Sequence, residues 1–229
     1  MKPKLHRIGA EQNPIVIIDG FSGQLDAILK IAEALAPYPP LDNYYPGVRR
    51  IITSEDTQAD AYVEETCERA GQFIAGAFDV EAFTLIEASF SLVTTAPSDL
   101  SPPQRAPHFD SPDPNYLALL HYLRVPPNSG TAFYRQRSTG IERVTEANIA
   151  RFVTSAKREA ALLPPDRGYI SGTDEYFEQI DEVEAVPDRL VIYQGSLLHS
   201  GVIPPRMSFS ADPREGRLTA NFFIKAASE

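Results

Sequence analysis

The sequence has no tryptophan, a single cysteine, two methionines and four histidines in 229 residues. One thiol, Cys67, cannot close an intramolecular disulfide, and no Cys/His cluster has zinc-finger spacing. Both absences fit a reducing, cytoplasmic setting. Positive charge is scarce as well. Lys and Arg number 21 against 31 Asp and Glu, a formal charge of −10 and a pI near 4.9. Such a surface repels a phosphate backbone, and no Lys/Arg run offers a local exception, so nucleic acid is not an expected partner. Long apolar runs are missing too: Ile15-Val16-Ile17-Ile18 falls far short of the roughly 20 residues a membrane span needs. The first ten residues carry basic side chains without the apolar run and small-residue cleavage site of a signal peptide. No membrane association is expected.

What is present is core-forming material. Hydrophobic residues make up 43% and aromatics 10%, which excludes a disordered or collagen-like chain. The length suits a single domain over 1–229. Residues 15–18 read as a short buried strand. Residues 24–36 carry Leu25, Ile28, Leu29, Ala32 and Leu35 at helical spacing, stopped by Pro37, Pro39 and Pro40. A loop through Tyr44-Tyr45-Pro46-Gly47 leads to a second amphipathic helix over 58–78. Residues 1–80 are therefore expected to form a helical support region.

From residue 81 the period changes. Residues 83–95, 116–125, 131–134, 177–186, 190–193, 197–199 and 217–225 are short, rich in β-branched and aromatic residues, and separated by Pro, Gly, Ser and Asp. A helical insertion near 146–163 interrupts them. The expected class is mainly β with flanking helices: helices packed on a β-sandwich or barrel built from 81–229.

With so few histidines, their chemistry can be enumerated. His108-Phe109-Asp110 places an imidazole and a carboxylate two residues apart, hence on one face of a strand, where both can reach one ion. His199 closes an apolar strand after the Gln194-Gly195 turn. Residues 217–225 alternate so that Arg217, Thr219 and Asn221 share one face and Leu218, Ala220, Phe222 and Ile224 the other. If that polar face is enclosed, the guanidinium needs an anion, and a small carboxylate with help from the Thr219 hydroxyl would serve. His121 directly precedes Tyr122 and so faces away from it, as a structural histidine. His6 falls in a terminal segment and is assigned no role.

In this order, His108, Asp110, His199 and Arg217 resemble the Fe(II)/2-oxoglutarate-dependent oxygenases, in particular their prolyl-hydroxylase-like branch. Leu119-Leu120-His121-Tyr122-Leu123 followed by Ser129-Gly130-Thr131-Ala132-Phe133 is similar to that branch's strand and Gly-Thr-x-Phe segment. The resemblance covers residues 85–225. It implies a double-stranded β-helix in which His108, Asp110 and His199 hold Fe(II) as a facial triad, leaving positions for 2-oxoglutarate and O₂. It further implies that Arg217, with Thr219, binds the remote carboxylate of 2-oxoglutarate, and that Tyr122 reaches the same carboxylate. The expected activity is a dioxygenase that hydroxylates a small-molecule, amino-acid or peptide substrate. The carboxylate at Asp110 points away from halogenation, whose enzymes lack it. Two departures stand out: residues 87–95 contain no tyrosine to hold the near end of the cosubstrate, and Arg217 follows His199 at a long interval. Loops at 97–107, 135–143 and 204–214 are expected to rim the cavity, with 134–137 at its entrance. The alternatives are a non-catalytic, cupin-like metal or small-acid binding protein, and a zinc or manganese hydrolase or isomerase using the same triad. Oligomeric state is left open.

Overall fold

The structure is a computed structural model that describes residues 3–40, 44–164 and 167–227. In chain order it contains β1 (Pro3–Ile8), β2 (Asn13–Ile18), α1 (Leu25–Ala34), β3 (Gly47–Ile51), α2 (Thr57–Phe78) and β4 (Phe83–Val93). These are followed by β5 (Tyr116–Arg124), β6 (Gly130–Gln136), α3 (Ile149–Ala160), β7 (Phe177–Glu184), β8 (Arg189–Gln194), β9 (His199–Val202) and β10 (Leu218–Ala226). Seven strands form one sheet in the order β1-β2-β8-β5-β10-β4-β3, and β7-β6-β9 form a second, smaller one. Every pairing within them is antiparallel. An isolated bridge from His108 to His199 adds a fourth position beside β9. The architecture is the double-stranded β-helix, or jelly roll, that the family resemblance implies.

Strand alternation makes the layers. On β10, Leu218, Ala220, Phe222 and Ile224 pack with Phe90 and Leu92 of β4, Leu117 and Leu119 of β5, and the apolar stripes of α1 and α2. The stripe on α2 is Ala59, Tyr62, Val63, Thr66, Ala70 and Ile74, the three-and-four spacing of one helical face. Alternate residues of the same strands turn inward. Ala118, Leu120 and Tyr122 meet Phe133, Val191 and Tyr193 between the sheets. The far side of the small sheet is covered by α3, whose Phe152 packs with Tyr134, Val144 and Leu198. No helix among the described residues is long and apolar enough to cross a membrane.

The N-terminal third departs from a purely helical support. It adds β1 and β2 to one edge of the large sheet and β3 to the other. β1 escapes sequence reading because five of its six residues are exposed, leaving no apolar period to detect. His6 therefore sits within a strand, paired opposite Ile15, rather than in a loose terminus. β3 is hidden by Arg49-Arg50 and by the Tyr/Pro loop before it. Gly47 is what lets it dock, since a Cβ there would collide with the Leu92 carbonyl of β4. The helical insertion is α3, shorter at both ends than the 146–163 expected; Pro165, part of the expected stop, lies outside the described residues.

Candidate metal centre and cavity

His108, Asp110 and His199 converge, each offering a ligand atom within 4.8 Å of the others. The backbone brings them together. His108 N–H donates to the His199 carbonyl (2.9 Å) and His199 N–H donates to that of His108 (2.8 Å), so the two residues face one another across a ladder pair. Their rings lie 4.4 Å apart between centroids. Asp110 is held by its N–H donating to the Gly195 carbonyl at 2.7 Å. Gly195 permits this approach: a Cβ there would meet the Tyr116 ring at 2.7 Å and Asp110 Cβ at 3.2 Å. The Asp110 carboxylate then stands 3.7 Å from His199 Nε2.

Electrostatics prepare the cluster for a cation. Burial, then the neighbouring His199, pushes His108 down to about 4, and burial pushes His199 to about 4, so both rings are neutral near pH 7. Burial raises Asp110 to about 6, against the pull of His108 and Arg49. His199 Nδ1 lies 2.7 Å from the Leu197 carbonyl, which fixes the proton there and leaves the Nε2 lone pair facing the cluster. Two imidazole nitrogens and one carboxylate, with the second nitrogen of one ring anchored, are a donor set that suits Fe(II). The residues fit the metal.

A cavity of about 330 Å³ opens beside the cluster. Arg217, Thr219 and Asn221 all line it, as the alternation on β10 requires. Arg217 is 6% exposed. Its Nη2 donates weakly to the Gly130 carbonyl at 3.4 Å, and its Nε is buried without a hydrogen-bond partner among the described residues. Its guanidinium lies 5.8 Å from the centre of the Tyr122 ring. Tyr122 is fully buried, and its hydroxyl is 2.7 Å from Thr131 Oγ1. Thr131 reaches the cavity wall whereas Tyr122 stands behind it. Tyr122, expected to reach a cosubstrate carboxylate, is therefore not on the wall; it contacts Arg217 and Thr131, which are.

Other expectations resolve in the same way. His121 faces away from the cavity, between Tyr62 and Asp188. The 97–107 loop contributes Pro103, Gln104 and Ala106 to the wall. Residues 134–143 do not reach it, because Arg135 turns to the buried Glu142 and to Glu178 instead. The 204–214 loop does not form the wall either; its Phe209 stacks on Tyr169, which does.

Sequence reading missed Tyr45, Arg49, Thr131, Tyr169 and Tyr193 as cavity residues. Tyr45 and Arg49 come from the unrecognised β3 and its approach. Burial raises the Tyr45 phenol, which interacts with Ser91. Arg49 Nε donates to Ser91 Oγ (3.0 Å), and Asn221 Nδ2 donates to the same oxygen (2.7 Å). β3 and its approach thus add Tyr45 and Arg49 to the cavity wall beside β4 and β10. No local period announces it, since Arg49 joins the cavity only by pairing β3 to the sheet edge.

The fold is shared with several solved structures. The non-heme α-ketoglutarate-dependent epimerase SnoN from nogalamycin biosynthesis matches at a TM-score of 0.56 and 15% identity, over 95% of this chain and 80% of that one. HygX from Streptomyces hygroscopicus, with nickel and 2-oxoglutarate bound, matches at 0.54 and 12%, over 95% and 84%. AviO1 from Streptomyces viridochromogenes Tue57 matches at 0.55 and 13%, over 94% and 92%. At these identities the likeness is one of fold. No curated protein matches the chain in sequence. A family model does, over residues 1–224: the chain belongs to DUF6445, described as a family of unknown function.

Proposed function

We propose that this protein is an Fe(II)- and 2-oxoglutarate-dependent dioxygenase that hydroxylates a small organic substrate. One observation carries the reading: two neutral imidazoles and a carboxylate meet within 4.8 Å at a cavity that also receives a buried guanidinium whose Nε has no hydrogen-bond partner among the described residues. The fold likeness to a 2-oxoglutarate-bound protein supports it.

In this reading His108, Asp110 and His199 hold the iron, and Arg217 pairs with the remote carboxylate of 2-oxoglutarate. Bound together, metal and cosubstrate supply the oxidation: O₂ and 2-oxoglutarate are consumed, succinate and CO₂ released, and one oxygen atom enters a substrate C–H bond. The chain's own part is positioning. The Leu197 carbonyl keeps the His199 proton on Nδ1. Tyr122 backs the Arg217 guanidinium, and the Tyr122–Thr131 hydrogen bond fixes the adjoining wall. Thr219, 2% exposed, places a hydroxyl on the same side. Buried Tyr193 lies edge-on to His199, 4.9 Å between centroids, and helps exclude water from the cluster.

The test is anaerobic titration of the protein with Fe(II) and 2-oxoglutarate. A visible metal-to-ligand charge-transfer band is expected, weakened in Arg217→Ala and abolished in His199→Ala. Absence of the band in the wild type, or its persistence in His199→Ala, overturns the assignment. Metal binding without succinate formation against any substrate screened selects the cupin-like binding protein. Turnover independent of O₂ and 2-oxoglutarate selects the hydrolase or isomerase.

A further inference from the structure

The cavity holds a second guanidinium besides that of Arg217. Arg49 of β3, Ser91 of β4 and Thr219 of β10 stand in register across three strands, and Arg49 and Thr219 line the cavity on either side of buried Ser91. Arg49 and Arg217 serve different parts of it. The Arg49 guanidinium lies between the Tyr45 ring (5.1 Å) and the Phe223 ring (5.7 Å), toward the Phe223 end of β10, whereas Arg217 lies at the Tyr122 end. Aromatic rings at that range hold the planar fork in one orientation.

The charges then leave Arg49 over. With a divalent metal, the Asp110 carboxylate, dianionic 2-oxoglutarate and Arg217 all in place, the formal charges cancel. Arg49 remains, its side chain 12% exposed. Among the described residues its polar contacts are the single hydrogen bond to Ser91 and an ion pair with Glu87 at 3.7 Å. Glu87 is 36% exposed, so that pair is long, one-sided and screened by solvent. A guanidinium so enclosed calls for an anion better matched to its fork. Around it the wall is largely ring and hydrocarbon: Tyr44, exposed at the lip, then Tyr45, Phe109, Phe223 and Ile203.

We infer that Arg49 is the substrate anchor, and that the substrate is a small organic acid whose carboxylate pairs with Arg49 while its apolar or aromatic body lies along the tyrosine-lined wall. This rests on the oxygenase reading above and specifies its substrate class. Tyr44 is the platform at the lip, and the Tyr44-Tyr45-Pro46-Gly47 loop with β3 is the specificity element.

The experiment uses the anaerobic protein loaded with Fe(II) and 2-oxoglutarate, so that the cosubstrate site is filled. Benzoate, phenyl phosphate and uncharged benzamide are titrated in by calorimetry, with the charge-transfer band followed in parallel. The wild type should bind benzoate at least ten times more tightly than benzamide. Arg49→Met should erase that preference while 2-oxoglutarate affinity, read from the band, stays within twofold. Arg49→Lys, which keeps the charge but not the fork, should fall between. Equal binding of benzoate and benzamide by the wild type, or binding of neither, overturns the anchor without need of any variant. A tenfold loss of 2-oxoglutarate affinity in Arg49→Met makes Arg49 a cosubstrate residue and also overturns it. Tenfold preference for phenyl phosphate over benzoate overturns the carboxylate class. Failure of the wild type to show the band at all is a different result, because it removes the oxygenase reading beneath the proposal.

Discussion

Asp110 sets the pH behaviour expected of the proposed metal centre. Its carboxyl is raised to about 6 by burial, and only the ionised form binds a metal. Protons therefore compete as pH falls through 6, and metal affinity should drop by about tenfold per unit between pH 6 and 4. Near 4, where His108 and His199 begin to protonate, the slope should steepen. Mn(II) titrations followed by calorimetry at pH 7.5, 6, 5 and 4.5 would read this, and a flat profile from 7.5 to 5 would contradict a buried, elevated Asp110. One residue away from the ligands, Gly195→Ala tests the route by which Asp110 reaches the cluster. The new methyl meets the Tyr116 ring at 2.7 Å and Asp110 Cβ at 3.2 Å, so the ring or Asp110 must shift. Metal affinity should fall by about 10- to 100-fold, as for other losses of support to a ligand. Unchanged affinity would mean that the Tyr116 ring yields instead.

Among the elements, a buried polar cluster ties the helical layer to the large sheet. Tyr62 of α2 is 2.7 Å from His121 Nδ1, and His121 Nε2 is 3.0 Å from Asp188. Asp188 also accepts from the N–H and hydroxyl of Ser22 and from the Gly23 N–H. The arrangement suits a neutral His121 that accepts from Tyr62 and donates to an ionised Asp188. Asp188 is held below the ordinary carboxylate range, burial being outweighed by its donors, and His121 is lowered chiefly by burial. Both directions have the same consequence in acid. The unfolded chain takes up a proton on His121 before the folded one does, so stability falls as pH drops below the ordinary imidazole value. Asp188 adds its share only below the ordinary carboxylate value, where its unfolded form protonates first. Asp188→Ala strands several donors at once and should cost about 3 kcal/mol, whereas Tyr62→Phe should cost about 1 kcal/mol. At about 2–4 °C per kcal/mol for a chain this size, thermal melts separate the two. Equal melting temperatures would show that Ser22, Gly23 and His121 find other partners.

For the whole molecule, the proposed function has the cavity between the two sheets take a metal and an acid. Ligands that bind only the folded state stabilise it by mass action, about 2.7 kcal/mol at 100 times Kd. Melts with Mn(II) and 2-oxoglutarate together should shift upward by about 5–10 °C. Arg217→Ala should keep the shift due to metal and lose that due to 2-oxoglutarate. An equal 2-oxoglutarate shift in that variant would move the acid site away from Arg217. The N-terminal third takes part as well, since β3 brings Arg49 and Tyr45 to the wall.

The sequence by itself indicated most strands from residue 83 onward, the helices α1 and α2, and the pairing of His108 with Asp110. His199, expected to close a strand, opens β9 instead, and its place beside them with Arg217 came from the family resemblance. For the elements the information is local, a period of two or of three and four. For His108 and Asp110 it is a short offset between scarce residue types, although His108 makes only an isolated bridge and Asp110 lies in a bend. Tertiary structure decided the rest. β1 and β3 are edge strands whose polar residues carry no period, and they are strands only because an open sheet edge pairs with them. Arg49 becomes a cavity residue through register with Ser91 and Thr219, and Tyr122 moves behind the wall because the Thr131 hydroxyl captures its own. Pairing across a sheet joins residues distant in the chain, and the side chain a strand presents there depends on its neighbour as much as on its own sequence.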